Sequence, residues 1–240
     1  MENILSSLIF QKEHKIKGSL YHYTQINFTY NSNRIEGSKL TEDETRYIYE
    51  TNTLIADSPS TNVDDIVETS NHFYLFDRML DTASEPLTEN LIKEYHRILK
   101  NGTTDSRISW FNVGEYKKLE NEVGGLETTS PKDVSREINK LLEEYNSKEK
   151  VTFSDILEFH YKFEIIHPFQ DGNGRIGRLI MFKECLKNDI VPFIIEDNYK
   201  AYYYRGLSKY KEDKKYLEDT CLLMQDIYGV KVKKFLTLSN

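Results

Sequence analysis

Cysteine, proline and long apolar runs are all scarce in this chain. Its 240 residues include two cysteines and five prolines. Cys185 and Cys221 sit in apolar, helix-like stretches, so they read as reduced core thiols rather than a disulfide framework. A zinc site would need Cys and His at ligand spacing, and the sequence has none. No run approaches the roughly 20 apolar residues that span a bilayer. The segment from Met1 lacks a basic flank and its apolar stretch ends by Phe10, which predicts no secretory leader. The expected location is the cytoplasm, with no membrane partner. Basic excess is missing too. Lys and Arg number 32 against 39 Asp and Glu, a net charge of −7. Such a chain cannot displace counterions broadly from a phosphate backbone, so nucleic acid is not an expected partner.

Helix signals are what the sequence does contain. Thr41 and Glu44 form a capping box that predicts a helix after Gly37-Ser38. Thr88 predicts another through about Lys100, ended by Asn101-Gly102. Ser130-Pro131-Lys132-Asp133 sets an N-cap, a first-turn proline and an early carboxylate in order. Thr152 and Asp155 open a helix to residue 166, with Phe153, Ile156, Leu157, Phe163 and Ile166 on one stripe. A further helix is expected from about Arg175 to Lys187, and two or three more from Tyr199 to Leu238. Residues 107–127 carry Gly114, Gly124 and Gly125 and read as an irregular loop with a short hairpin. The expected fold is mainly α: a helical bundle with a small β-hairpin flap at about 114–127. Residues 1–87 are expected to form an N-terminal helical region, with 1–36 as an arm, and residues 88–240 the core.

The densest chemistry lies in His167-Pro168-Phe169-Gln170-Asp171-Gly172-Asn173-Gly174-Arg175-Ile176-Gly177-Arg178. Pro168 disfavours helical geometry at His167, so the preceding helix should end there. Gly172 and Gly174 let backbone amides converge on an anion, and the next helix aims its positive N-terminus at the same place. Arg175 and Arg178 add guanidinium groups, Asp171 a hard oxygen suited to Mg²⁺, and His167 a base that titrates near neutrality. The set suits phosphoryl chemistry. Read without such chemistry, the same residues are a helix–helix connector rich in Gly and Asn. Residues 172–177 also satisfy G-x-G-x-x-G literally, with Glu196 about 20 residues on. The preceding segment has helical rather than strand periodicity, which argues against a dinucleotide fold. No Gly-Lys-Ser/Thr follows, so the loop is not a Walker A motif either.

The string resembles the signature of the Fic family, His-Pro-Phe-x-Asp-Gly-Asn-Gly-Arg-x-x-Arg, at every fixed position, and the likeness extends over about residues 90–225. The resemblance implies a protein adenylyltransferase that moves AMP from ATP onto a Ser, Thr or Tyr hydroxyl of a protein target, itself included. It implies His167 as the base and Asp171 as the Mg²⁺ ligand. Gly172, Asn173, Gly174, Arg175, Gly177 and Arg178 would contact the nucleotide, Arg178 through the γ-phosphate. The flap residues Val123, Gly124, Gly125 and Leu126 would clamp the nucleotide and align the target, although an ordinary surface hairpin has the same sequence signals. Tyr203, in Tyr202-Tyr203-Tyr204, matches the residue that contacts the nucleoside, and also fits a plain core aromatic. Lys211 stands where some relatives have Asn. Homodimerisation is a further implication. Transfer of another nucleotide or phosphate group, AMP removal, and nucleotide-responsive binding without catalysis are the alternatives.

One more segment stands apart. Apolar spacing from Leu20 through Ile35 predicts a helix that stops at Gly37, despite the Asn, Ser and Thr of residues 27–33. Glu36 would then sit at the helix C-terminus, where its charge opposes the macrodipole, with Ser32 on the same face. A solvated Glu is the ordinary reading of such a position. Ser32-x-x-x-Glu36-Gly37 also resembles the family's inhibitory motif, which implies that Glu36 pairs with Arg178 and blocks the γ-phosphate.

Overall fold

The computed structural model describes residues 3–54, 60–123 and 126–237, and among these it is built almost wholly of helices. In chain order they are α1 (Ile4–Glu13), α2 (Leu20–Ile35), α3 (Glu42–Thr51), α4 (Val63–Asp81), α5 (Glu89–Lys100), α6 (Val134–Asn146), α7 (Phe153–Ile166), α8 (Asn173–Lys187), α9 (Lys200–Lys209) and α10 (Lys215–Thr237). Two short strands, β1 (Glu122–Val123) and β2 (Leu126–Glu127), pair antiparallel with Glu122 opposite Glu127.

The caps behave as their chemistry requires. Thr41 Oγ1 accepts from the Glu44 amide while the Glu44 carboxylate accepts from the Thr41 amide, and Thr152 and Asp155 repeat the exchange. Thr88 accepts from the Leu91 amide at 3.2 Å. The start of α6 differs from expectation. Ser130–Asp133 closes as a turn, its Asp133 amide donating to the Ser130 carbonyl at 2.8 Å, and the helix begins at Val134. The proline therefore precedes the helix instead of opening it.

Helix α8 is the axis of the molecule. Ile176, Leu179, Ile180, Met181, Phe182 and Cys185 are all buried in one apolar cluster, as a helix enclosed on every side demands. Phe28, Phe76 and Phe182 meet at centroid distances of 5.3–5.8 Å; truncating such a ring to alanine costs about 3–5 kcal/mol. Toward the C-terminal end of α8 the buried Lys183 and Glu184 satisfy each other at 2.7 Å, and the Tyr145 hydroxyl donates to Glu184 at 3.0 Å.

The described part of the expected arm, residues 3–36, is packed into the core instead. Leu8, Leu20, Phe28 and Ile35 belong to the same cluster as Phe163, Phe182 and Tyr228. The polar stretch of α2 is buried because other helices supply its partners. Thr24 shares a hydrogen bond with the Tyr228 hydroxyl at 2.7 Å, Thr29 with His72 Nδ1 at 2.9 Å, and Asn33 donates to Thr69 at 3.3 Å. Hydrogen bonds to fixed partners offset the desolvation of these groups.

Candidate active site

Helix α7 ends at Ile166, and His167 takes the left-handed conformation (φ 50°), a position that His tolerates better than most residues. The turn that follows is held from inside. The Phe169 amide donates to Asn173 Oδ1 at 2.8 Å, and Asn173 Nδ2 donates back to the Phe169 carbonyl at 2.8 Å. The Asn173 side chain is thus a loop staple, which leaves only its backbone for a ligand. Phe169 is fully buried and stacks on His96, with centroids 3.9 Å apart and planes 2° from parallel. His96 Nδ1 accepts from the Gly114 amide at 2.9 Å, so Nε2 carries the proton and donates to the Asp171 carbonyl at 3.1 Å. Burial keeps that imidazole neutral, its pKa down to about 3.

Asp171 does not stand alone. Its Oδ2 accepts from Lys100 Nζ at 2.7 Å and Arg175 Nη2 at 3.0 Å. Glu68 bridges the same two cations, and Asp105 reaches Lys100 at 3.0 Å. Burial alone would raise the Asp171 pKa. Arg175 and Lys100 outweigh it and hold the carboxyl well below the usual range. The Asp171 side chain remains 45 % exposed. A carboxylate anchored on one side and open on the other fits Mg²⁺, which takes one or two protein carboxylates and completes its shell with water and phosphate oxygens. Arg175, expected to grip outer phosphates, is instead buried and committed to Glu68 and Asp171. Of its three nitrogens, Nε is the one without a hydrogen-bond partner among the described residues.

Arg178 faces α2. Its Nε–H donates to Ser32 Oγ at 3.1 Å, and Nη2 donates to the Ser32 carbonyl at 2.9 Å and to Glu36 Oε1 at 2.7 Å. Burial would lower the guanidinium pKa, and Glu36, Tyr203 and Glu164 together outweigh it and raise it. Glu36 is the residue that closes α2, and its carboxylate overhangs the first turn of α8. A Cβ on Gly174 would overlap that carboxylate and approach Arg178 Nη1 to 3.0 Å. Gly172, the residue before α8, has φ 84° and leads into the helix's unsatisfied amides. The carboxylate therefore occupies the sort of place where helix N-termini bind anions.

His167 lies near both. Burial first, then the neighbouring Lys117 ammonium, lower its pKa to about 4, against the Glu164 carbonyl, Glu36 and Asp171. The imidazole is therefore unprotonated at neutral pH, as a base must be.

Two expected contacts do not survive. Gly177 lies in the second turn of α8 and its bare Cα faces α7, where a Cβ would meet Glu164 Oε1 at 2.6 Å and His160 at 2.8 Å. It is a close-packing glycine rather than a phosphate ligand. Tyr203 is 1 % exposed, its hydroxyl hydrogen-bonded to His160 Nε2 at 2.7 Å and its ring behind Arg178 at 5.9 Å. No face of it is left for a nucleoside. Tyr204 is half-exposed, its pKa raised by burial and then by Glu36. Its hydroxyl donates to the Ile35 carbonyl at 3.3 Å. In the flap, the Val123 and Leu126 backbones pair across the hairpin; Gly124 and Gly125 lie outside the described residues.

Sequence reading missed His96, Lys100, Glu68 and Lys117. The first two carried a signal: on α5 the spacing 92–96–100 sets a His and a Lys on the stripe of Leu91, Ile92, Tyr95 and Leu99. A polar group on an apolar stripe needs a buried partner.

Residues 86–185 match the Fic/DOC family. The protein adenylyltransferase Fic of Aedes aegypti is 28 % identical over 182 residues, 75 % of this chain and 36 % of that protein. That of Nematostella vectensis is 28 % identical over 185 residues, 75 % of this chain and 42 % of that protein. The chain thus spans only about two fifths of the length of these relatives. In fold it is similar to a Fic domain containing signaling protein from Bacteroides thetaiotaomicron, with TM-score 0.75, 23 % identity, and 93 % and 92 % of the two chains covered. It is also similar to Fic-1 from C. elegans (TM-score 0.74, 19 % identity, 97 % and 69 % covered). The chain is thus similar to Fic proteins in sequence over residues 86–185 and shares the fold of the solved Fic structures.

Proposed function

We propose that this protein transfers AMP from ATP to a Ser, Thr or Tyr hydroxyl of a protein, and that Glu36 restrains the transfer by holding Arg178. The target hydroxyl gives its proton to His167 as its oxygen bonds to the α-phosphorus, the α–β bridging bond breaks, and pyrophosphate leaves with the electron pair. Base catalysis of this kind contributes about 10²–10⁴-fold. The α8 amides and the positive charge of Arg175 meet the phosphate charge, and Arg178 joins them once Glu36 withdraws. Mg²⁺ on Asp171 would neutralise the departing pyrophosphate.

The observation that carries this reading is the grouping of an unprotonated His167 with Asp171 and the N-terminus of α8. The curated relatives are named protein adenylyltransferases, which supports the same chemistry. Among the described residues no helix is long and apolar enough to cross a membrane. A cytoplasmic site of action and a homodimer form part of the proposal, the latter on family resemblance alone. The test is to incubate Glu36→Gly protein and a cell lysate with ATP labelled at the α- or γ-phosphate. Protein-bound label only from the α-position is the expected result. Label from the γ-position, or from neither, overturns AMP transfer.

A further inference from the structure

Lys117 lies four residues before Asn121, at the foot of the hairpin segment, and is 3 % exposed. Its amide donates to the Pro168 carbonyl at 2.9 Å. Its Nζ donates to Asn121 Oδ1 at 2.7 Å, to Thr128 Oγ1 at 2.6 Å and to the Ile166 carbonyl at 3.4 Å. Those acceptors are uncharged, and they come from three places: the residue before β1, the residue after β2, and the last residue of α7. Asn121 extends the seam by donating to the Phe169 carbonyl at 3.0 Å, and the Leu119 amide by donating to Gln170 Oε1 at 3.4 Å. A lysine in an ordinary surface hairpin keeps its ammonium in water. Burying one on neutral acceptors costs stability, and burial pushes this one down to about 8.

The hairpin itself has two facing pairs, Glu122 with Glu127 and Val123 with Leu126. An isolated two-stranded ribbon is marginal at best, so its placement must come from outside. We propose that Lys117 is a positioning residue for the transfer reaction: it ties both flanks of the hairpin to the residues around His167, and thereby sets where an acceptor hydroxyl carried along the hairpin edge meets that base. This rests on the transferase reading above. A target segment added to a strand edge inherits the position of that edge. The hydroxyl must come within about 2.6–3.2 Å of the imidazole, and a displacement near 1 Å can cost about 100-fold in rate. The ammonium has a second effect through charge. It disfavours imidazolium at His167, in the same direction as burial, while the Glu164 carbonyl, Glu36 and Asp171 oppose it. Glu120 is the acid that acts on Lys117 itself.

The experiment compares Lys117→Met and Asn121→Ala, each in the Glu36→Gly protein. The first removes charge and donors at constant length; the second cuts the seam from the hairpin side and leaves the charge. Both should lower kcat for protein modification by roughly 10- to 100-fold, with the Kd for ATP unchanged by calorimetry. Both should speed hydrogen exchange at the Leu119 and Thr128 amides. Only Lys117→Met should raise the His167 titration midpoint, read by NMR of ¹³C-labelled histidine, and shift the acid limb of kcat/KM upward with it. Unchanged exchange and titration in Lys117→Met overturn the proposal. So does loss of ATP binding in proportion to transfer, since that marks mere scaffolding. A parent protein that transfers nothing overturns the transferase reading, and exchange and titration still decide the anchoring. If Lys117→Met does not fold, Asn121→Ala decides it: parental kcat and exchange there sink the idea.

Discussion

Glu36 Oε1 lies 2.7 Å from Arg178 Nη2, and the same guanidinium is also held by the side chain and the carbonyl of Ser32. One arginine of α8 thus spends three hydrogen bonds on the last turn of α2. The guanidinium is ionised, so all three are charge-assisted, but only the one to Glu36 joins opposite charges, and the three are therefore unequal.

That inequality predicts a graded response. Glu36→Gly removes the ionic contact and should raise initial transfer rates by at least roughly tenfold, the scale of one charge-assisted bond. Ser32→Ala leaves Glu36 and the Ser32 carbonyl in place and should raise them by no more than about threefold. Initial rates with α-labelled ATP check the ordering. A Ser32→Ala protein as active as Glu36→Gly would show that the hydroxyl, not the carboxylate, is the restraint.

Lys100 gathers Glu68, Asp105 and Asp171 around one fully buried ammonium. Lys100→Met leaves Glu68 and Asp171 to Arg175, and leaves Asp105 without an ion-pair partner among the described residues. The expected loss is roughly 2–3 kcal/mol, below that of a fully enclosed pair because Asp171 and Asp105 keep solvent contact. Urea unfolding measures it. The same variant should need more Mg²⁺ for half-maximal rate, because Asp171 loses the group that orients it.

Glu164 offers a pH test. Burial first and Glu36 second raise its pKa to about 8, against Arg178, and its Oε1 has no hydrogen-bond partner among the described residues. A carboxyl raised on folding binds its proton more tightly in the native state than in the unfolded one. Its contribution to stability is complete below the ordinary carboxyl range and is lost as pH climbs toward about 8. Glu164→Gln mimics the protonated form. Its melting temperature relative to wild type should therefore rise steadily from about pH 5 to pH 8 and then level off. A constant difference across that range contradicts the reading. The buried histidines, whose pKa values are lowered, act in both proteins alike and cancel from the comparison.

Much of the bundle was legible because caps and periodicity are local. Thr41, Thr88 and Thr152 each open the helix that their side chains can satisfy, and Pro168 ends α7 where its ring forbids helical geometry at His167. His167, Asp171 and Arg178 were legible as one set from their spacing in a single loop, and the link to Glu36 only through resemblance. Nothing local ties Glu36 to a residue 142 positions away. The roles of Arg175 and Gly177 were not legible at all, and the buried place of Tyr203 was legible only as one of two readings. Each depends on what another helix places opposite: Glu68 from α4, and Glu164 and His160 from α7. A motif gives the spacing of its residues but not the partners that the rest of the chain brings to them.

Gly177 allows that distinction to be measured. As a phosphate ligand it would lose nucleotide affinity on substitution; as a packing glycine it would lose stability. A Cβ there meets Glu164 Oε1 at 2.6 Å and the His160 ring at 2.8 Å, and both groups are held in the α7–α8 contact. Gly177→Ala is therefore expected to destabilise the protein by about 1–3 kcal/mol through overpacking. The affinity of the folded fraction for ATP, measured in the Glu36→Gly background, should stay at the parental value. Gly174→Ala in that background should do the opposite, since the carboxylate its Cβ would strike is gone and its backbone lies in the first turn that faces the anion. If Gly177→Ala weakens ATP binding while its unfolding midpoint stays put, the packing assignment is wrong and the glycine belongs to the nucleotide site.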